Sequence, residues 1–213
     1  MIHGKQITGI WIDELQTFDK MIATTMFSEA DSDDVISLKA KIRQGILSKL
    51  NDPLYDAAFV KFIRANCVVS GGCSASLYHN QPPNDYDLYF KTDEALNEFN
   101  TYMDKTRQRN LVKDVNPNYM STVVAGKLIT AQATTLFNDV QIITMGTINM
   151  IDEFDFIHCK PYLDLSADKY YISKKQFDAI RNKELIINKT AKQQAKPYRI
   201  EKYESRGWKT LKV

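Results

Sequence analysis

Two pairs of residues in this 213-residue chain are complementary in chemistry and close in sequence. Gly71 and Gly72 follow the apolar run Cys67-Val68-Val69-Ser70, and Asp85 and Asp87 come shortly after, alternating with Tyr86 and Leu88. Adjacent glycines let the backbone take positive φ and let a phosphate approach without meeting a Cβ. Two carboxylates at i and i+2 of a strand project to one face, about 6.6 Å apart at the standard rise. Held so, they repel unless a cation bridges them. Mg2+ (or Mn2+) suits, because it takes oxygen ligands and keeps positions for water and substrate phosphates. Ser74, with Ser76 and the amides after Gly72, adds donors for phosphate oxygens. The chemistry that needs all of these parts is phosphoryl or nucleotidyl transfer. Alone, a glycine pair is an ordinary turn and an Asp-x-Asp a solvated edge; it is their combination that carries weight.

To position these residues the chain must supply two strands with a helix between them. Asn66–Ser70 reads as a buried strand, Cys73–Tyr78 as the opening of a helix, and His79–Asn84 as a turn-rich return. Asp85–Phe90 alternates as a second strand should. Upstream, residues 9–26 carry Ile10, Ile12, Leu15, Phe18, Met21 and Ile22 at helical spacing. Asp31-Ser-Asp-Asp34 caps a helix over Asp33–Leu50, with Val35, Leu38, Ile42, Ile46 and Leu50 on one face. Tyr55–Asn66 is a third helix. Downstream the pattern predicts a helix over Asp93–Lys105, loop over 107–120, and strands over Tyr119–Thr130, Leu136–Met145 and Phe154–Asp164. A helix over Ser173–Asn188 follows. This order predicts an α+β fold, a mixed β-sheet flanked by helices with an N-terminal helical extension. Three parts are expected: a helical region over 1–64, a catalytic domain over 65–188 and a basic, aromatic segment over 189–213.

At Gly71, Gly72, Asp85 and Asp87 the sequence resembles the nucleotidyltransferase superfamily of DNA polymerase β and the CCA-adding and poly(A) polymerases. Within it, the chain is most similar to phage-encoded tRNA-nucleotidyltransferase-like proteins. Phe154-Asp-Phe-Ile-His-Cys159 and Arg199-Ile-Glu-Lys-Tyr-Glu-Ser-Arg-Gly-Trp208 match further motifs of that group. The resemblance implies transfer of a nucleoside monophosphate from a nucleoside triphosphate to a hydroxyl, on tRNA or another RNA, with release of pyrophosphate. Asp85, Asp87 and Asp155 would bind Mg2+ or Mn2+ and carry catalysis. Asp139 and Gln141 are rivals for the third position, and Asp155 serves equally well as a structural carboxylate. Gly71, Gly72 and Ser74 would hold the triphosphate, and Lys202 and Arg206 would contact triphosphate or acceptor. The Arg-Asp that CCA-adding and poly(A) polymerases carry after the glycines is absent here. Two other readings stand beside transfer to RNA: a catalytically silent fold that binds nucleic acid or builds a virion, and transfer to a protein or small molecule.

Bulk properties narrow the classes. No run of about twenty apolar residues suggests a membrane span, and Met1–Thr8 lacks the apolar core of a signal peptide. Cys67, Cys73 and Cys159 have no Cys-x-x-Cys spacing, which argues against structural zinc and fits a reducing cytoplasm, the host's if the chain is phage-encoded. Cys73 is expected to be a small packing residue and His158 a packed one. Net charge is +2, yet from Lys174 onward twelve basic residues face four acidic ones, a local +8. Such a segment suits a polyanion, RNA more than DNA. Its Tyr198, Tyr203 and Trp208 would stack bases or dock the segment on the body.

Overall fold

A computed structural model describes residues 32–53, 55, 57–109, 121–124, 127–130, 133–136, 139–191 and 195–211. The helix expected over 9–26 lies outside these residues. Helix α1 spans Ser32–Leu50, with Asp33 and Asp34 in its first turn and Lys49 in its last, each favourable to the helix dipole. Val35, Leu38, Ile42, Ile46 and Leu50 are all buried along one face. Where α1 crosses the sheet, a Cβ on Gly45 would collide with the Tyr86 hydroxyl, so glycine permits the close approach. Helix α2 (Ala57–Asn66) then runs directly into strand β1 (Cys67–Ser70). Helix α3 is short, Cys73–Tyr78, and β2 covers Tyr86–Phe90.

Helix α4 spans Asp93–Arg109, longer than the apolar spacing predicts. Strands β3 (Ser121–Val124), β4 (Lys127–Thr130), β5 (Ala133–Thr135) and β6 (Val140–Thr147) follow. The sheet is completed by β7 (Tyr162–Asp164) and β8 (Lys169–Tyr171). Its order is β3-β4-β5-β6-β2-β1-β7-β8. Only the β2–β6 pair is parallel, so the sheet is mixed, and the α+β architecture expected from the sequence is the one found.

The two faces of the sheet are covered unequally. Cys67 and Val69 of β1 share a face with Tyr86, Leu88 and Phe90 of β2, beneath α1, α3 and the main core. The opposite face carries Val68 and Tyr89 in a small cluster with Ile151 and Tyr162. Asp87 belongs to this thinly covered face, since it stands between Asp85 and Tyr89 at the two-residue period.

The strand expected over Leu136–Met145 is found at Val140–Thr147, and two further segments depart more strongly from the sequence pattern. Phe154–Asp164 is not one strand: Phe156 makes an isolated bridge to Ile187, a 3-10 turn occupies Ile157–Cys159, and only Tyr162–Asp164 joins the sheet. The turn is fixed by Gly71, whose N–H donates to Cys159 O at 3.1 Å, and by the Ser70 hydroxyl, which donates to Cys159 O and Pro161 O. Likewise, the helix after Ser173 stops early. Helix α5 is Lys174–Asn182, started by a reciprocal Ser173–Gln176 capping box and ended by Lys183 at φ 52°. Glu184–Leu185 (β9) then pairs in parallel with Lys209–Thr210 (β10). Apolar spacing alone extends the helix through Ile186 because it cannot register this tertiary pairing. Between them, helix α6 spans Pro197–Glu204 with proline at its start.

Candidate active site

The loop after β1, the start of β2 and helix α6 surround one cavity of about 500 Å3. Its acidic side carries Asp85, Asp87, Glu153 and Asp155; its basic side carries Lys183, Lys196, Arg199, Lys202 and Arg206. Gly71 and Gly72 also line it, as do Ser76, Gln141 and Tyr198. Besides Ser76 and Gln141, the structure therefore brings together seven residues expected from the sequence: Gly71, Gly72, Asp85, Asp87, Asp155, Lys202 and Arg206.

Gly71 has φ +91°, and a Cβ there would overlap Asp87 Oδ2. The turn thus leaves its backbone directly against the carboxylate, a fit open only to glycine. At Gly72 a Cβ would meet nothing nearer than the Tyr203 hydroxyl at 3.7 Å, so that position opens toward the cavity. Helix α3 is only six residues long, so Gly71 and Gly72 of the turn line the cavity with no long helix behind them.

Electrostatics at the floor are unfavourable without a cation. Burial, and then the charge of Asp85, pushes the Asp87 carboxyl up to about 7, with Arg199 opposing. Asp85 is also raised by burial, against the pull of Lys202, and Asp139 adds to the rise. A half-buried like-charge pair held in register is a donor set for a hard divalent cation with phosphate or water completing its shell. Asp85 and Asp87 fit such an ion. Among the described residues no three His, Cys, Asp or Glu side chains group closely enough to hold a metal by themselves.

The candidates for a third position are arranged differently from one another. Asp155 lies in the cavity wall, but Arg199 grips it with two hydrogen bonds, Nε to Oδ2 at 2.5 Å and Nη2 to Oδ1 at 3.1 Å. Asp139 is outside the cavity lining, and Lys49 Nζ donates to it at 3.3 Å. Gln141 is the β6 partner of Asp87 in the parallel register, so a neutral amide stands beside the acidic pair.

Ser74 is away from the cavity. It is 1% exposed, and its Oγ accepts a hydrogen bond from the Tyr170 hydroxyl at 2.9 Å. Helix α3 turns this side chain inward together with Cys73, and Ala75 and Ser76 line the cavity instead. All three cysteines are buried and free. Burial pushes the Cys73 thiol up to about 12, and the thiol donates to Ser70 O at 3.6 Å, so Cys73 is a buried, inward-held residue.

Helix α6 has no buried residue of its own and is held by aromatic anchors. Trp208 is buried and lies 4.2 Å from the His158 ring, centroid to centroid. Tyr203 packs edge-on to Phe156 and His158, and its hydroxyl contacts Cys159 Sγ at 3.4 Å. His158 is packed as expected, and burial pushes it down to about 3, so it stays neutral between these rings. The basic segment is therefore docked as a wall of the cavity. This wall was the part least visible in the sequence, where only its charge and aromatic content marked it.

The profile of the Gabija anti-defense 2 family matches residues 37–183. Among solved structures, the chain is similar to the Thermotoga maritima CCA-adding enzyme complexed with tRNA, at 19% identity and a TM-score of 0.46. That match covers 78% of this chain and 42% of the other. A CCA-adding enzyme with CTP matches at 18% identity and a TM-score of 0.45, again over 78% and 42% of the two chains. The chain thus spans less than half the length of these structures. No curated protein matches the chain. Among the described residues no helix is long and apolar enough to cross a membrane.

Proposed function

The chain belongs to the Gabija anti-defense 2 family, and we propose that it is a divalent-cation-dependent nucleotidyltransferase whose transfer reaction counters that defence. The observation that carries this reading is the cavity itself: an acidic pair under strain from its own charge, set against the Gly71-Gly72 backbone and faced by a basic wall.

Asp85 and Asp87 would hold Mg2+ or Mn2+, which when bound supplies charge stabilisation to the reacting phosphate. The Gly72 side of the turn and Ser76 give the triphosphate a surface free of obstruction, and Lys202 and Arg206 neutralise its outer oxygens. Lys202 lines the same cavity as Asp85 and opposes the rise that burial gives its carboxyl, so a cation of the basic side already acts on the acidic pair. An acceptor hydroxyl attacks the α-phosphorus, the bond to the bridging oxygen breaks, and pyrophosphate leaves. RNA is the acceptor that the charge of the C-terminal segment favours. The family's name adds a second candidate, a hydroxyl on a component of the Gabija defence.

Two observations favour a silent, binding-only fold. Gln141 is neutral where it neighbours Asp87, and Asp155 is engaged by Arg199. The two readings separate on incubation with each α-labelled triphosphate, Mg2+ or Mn2+, and RNA or Gabija-protein acceptors. An Asp85→Ala/Asp87→Ala variant serves as control. Label on RNA or protein that depends on both aspartates is the expected result. Absence of transfer with intact nucleotide binding selects the silent fold, and absence of both removes the nucleotide from the account.

A further inference from the structure

The fork of Arg199 closes on Asp155, yet both side chains line the cavity proposed to take a nucleotide. Asp155 is the more deeply set of the two, with 14% of its side chain exposed against 39% for Arg199. The guanidinium therefore lies on the open side of the pair. Its charge is also felt at Asp87, so it stands within reach of the acidic floor. A guanidinium fork recognises a carboxylate and a phosphate with the same two parallel hydrogen bonds. The helix that carries it adds only the partly buried Ile200 and Tyr203 to the core packing, and the guanidinium carbon lies 6.0 Å from the Phe156 ring centroid, so a change of partner by Arg199 unpacks no fully buried side chain.

Resting on the nucleotidyltransferase reading, we infer that Arg199 is a polyphosphate-binding residue whose ground-state partner is Asp155. An entering polyphosphate takes over the fork, and Asp155 is released to join Asp85 and Asp87 as a third carboxylate. The exchange conserves charge pairing. Arg199 passes from one anion to another, and the carboxylate it leaves gains the divalent cation that arrives with the phosphate. Without that exchange Asp155 would remain as a poorly solvated charge with no counterion, which is costly. Polyphosphate and cation binding are thereby coupled, and the coupling is reciprocal.

The test uses the full chain and two simple probes. Inorganic tripolyphosphate binding is measured by calorimetry in EDTA, and Mn2+ binding by electron paramagnetic resonance without phosphate. Asp155→Asn is expected to tighten tripolyphosphate about fivefold by freeing the fork, and Arg199→Gln to weaken it about tenfold. For Mn2+ alone, Arg199→Gln is expected to bind about tenfold more tightly than the native chain. The double variant Asp155→Asn/Arg199→Gln should lose that gain. If the pair is only a structural tie, Asp155→Asn leaves tripolyphosphate unchanged or weaker and Arg199→Gln leaves Mn2+ unchanged or weaker. Either result overturns the exchange while sparing the nucleotidyltransferase reading. Should the native chain bind neither Mn2+ nor nucleoside triphosphate under any condition, that reading falls and the exchange with it. Arg199→Lys, which keeps the charge and loses the fork, covers the case in which Arg199→Gln unfolds: it should bind tripolyphosphate more weakly than the native chain. Native-like affinity would overturn the inference.

Discussion

The backbone of Gly71 stands against the carboxylate of Asp87, so close that a Cβ on residue 71 would overlap Oδ2. Its φ of +91° adds backbone strain for any other residue. Gly71→Ala should therefore cost about 1–3 kcal/mol of stability and displace Asp87 enough to lower Mn2+ affinity about tenfold. Gly72→Ala is the control: its φ is −73° and its Cβ would have room. Thermal melts and Mn2+ titrations of both variants check this. Equal behaviour of the two would mean that the close approach does not explain the glycine.

Asp87 makes stability depend on pH in a direction set by its raised pKa. The carboxyl is pushed up to about 7 by burial and by Asp85. A group whose folded pKa lies above its unfolded value adds stability below the unfolded pKa. That stability is lost as pH rises through the folded one. The metal-free protein should therefore weaken between about pH 4 and pH 8, by on the order of a few kcal/mol from this group. Asp87→Asn should remove that slope and raise the melting temperature at pH 8. Added Mg2+ should restore the native chain at pH 8 and leave the variant unmoved. A native melting curve indifferent to both pH and Mg2+ would refute the strained pair.

The strand-and-turn frame of this site was legible in the sequence because its signals are local. The Cys67–Ser70 run, the glycines and the Asp-Tyr-Asp alternation each state their geometry within a few residues. The fate of Ser74 was not legible. Its orientation depends on the Tyr170 hydroxyl, 96 residues away, which competes successfully for the Ser74 oxygen. Asp155 is a similar case. Its exclusion from the apolar core could be read from Phe154 and Phe156, but its capture by Arg199 depends on where α6 docks. That docking rests on Trp208 meeting His158, a contact between two segments that periodicity treats separately.

Trp208 is the residue on which the basic wall depends. It is buried against His158 and Tyr203, and α6 itself adds only the partly buried Ile200 and Tyr203 to this packing. Trp208→Ala should cost up to about 3–5 kcal/mol locally. Because the sheet does not rely on α6, residues 195–211 should open while the strands stay folded. Hydrogen exchange resolved by segment reads this directly, and tripolyphosphate affinity should fall about tenfold in parallel. Loss of protection spread evenly over β1 and β2 would show that the segment belongs to the core rather than to the wall.

Gln141 tests whether the floor lacks a third charge by design of its neighbours or only by its side chain. It pairs with Asp87 in register across parallel strands, about 4.8 Å away along the hydrogen-bonding direction, with both side chains on the cavity face. Gln141→Asp would place a third carboxylate beside two that already repel. In the metal-free protein this should lower the melting temperature at pH 8, because the added charge has no cation to meet. With Mn2+ the sign reverses: a third oxygen donor at the same face should tighten binding about tenfold, without requiring Arg199 to release Asp155. The variant's melting temperature should therefore start below the native value and rise above it across a Mn2+ titration. If the two curves never cross, position 141 does not face the cation, and Asp155 is left as the residue that must complete the site.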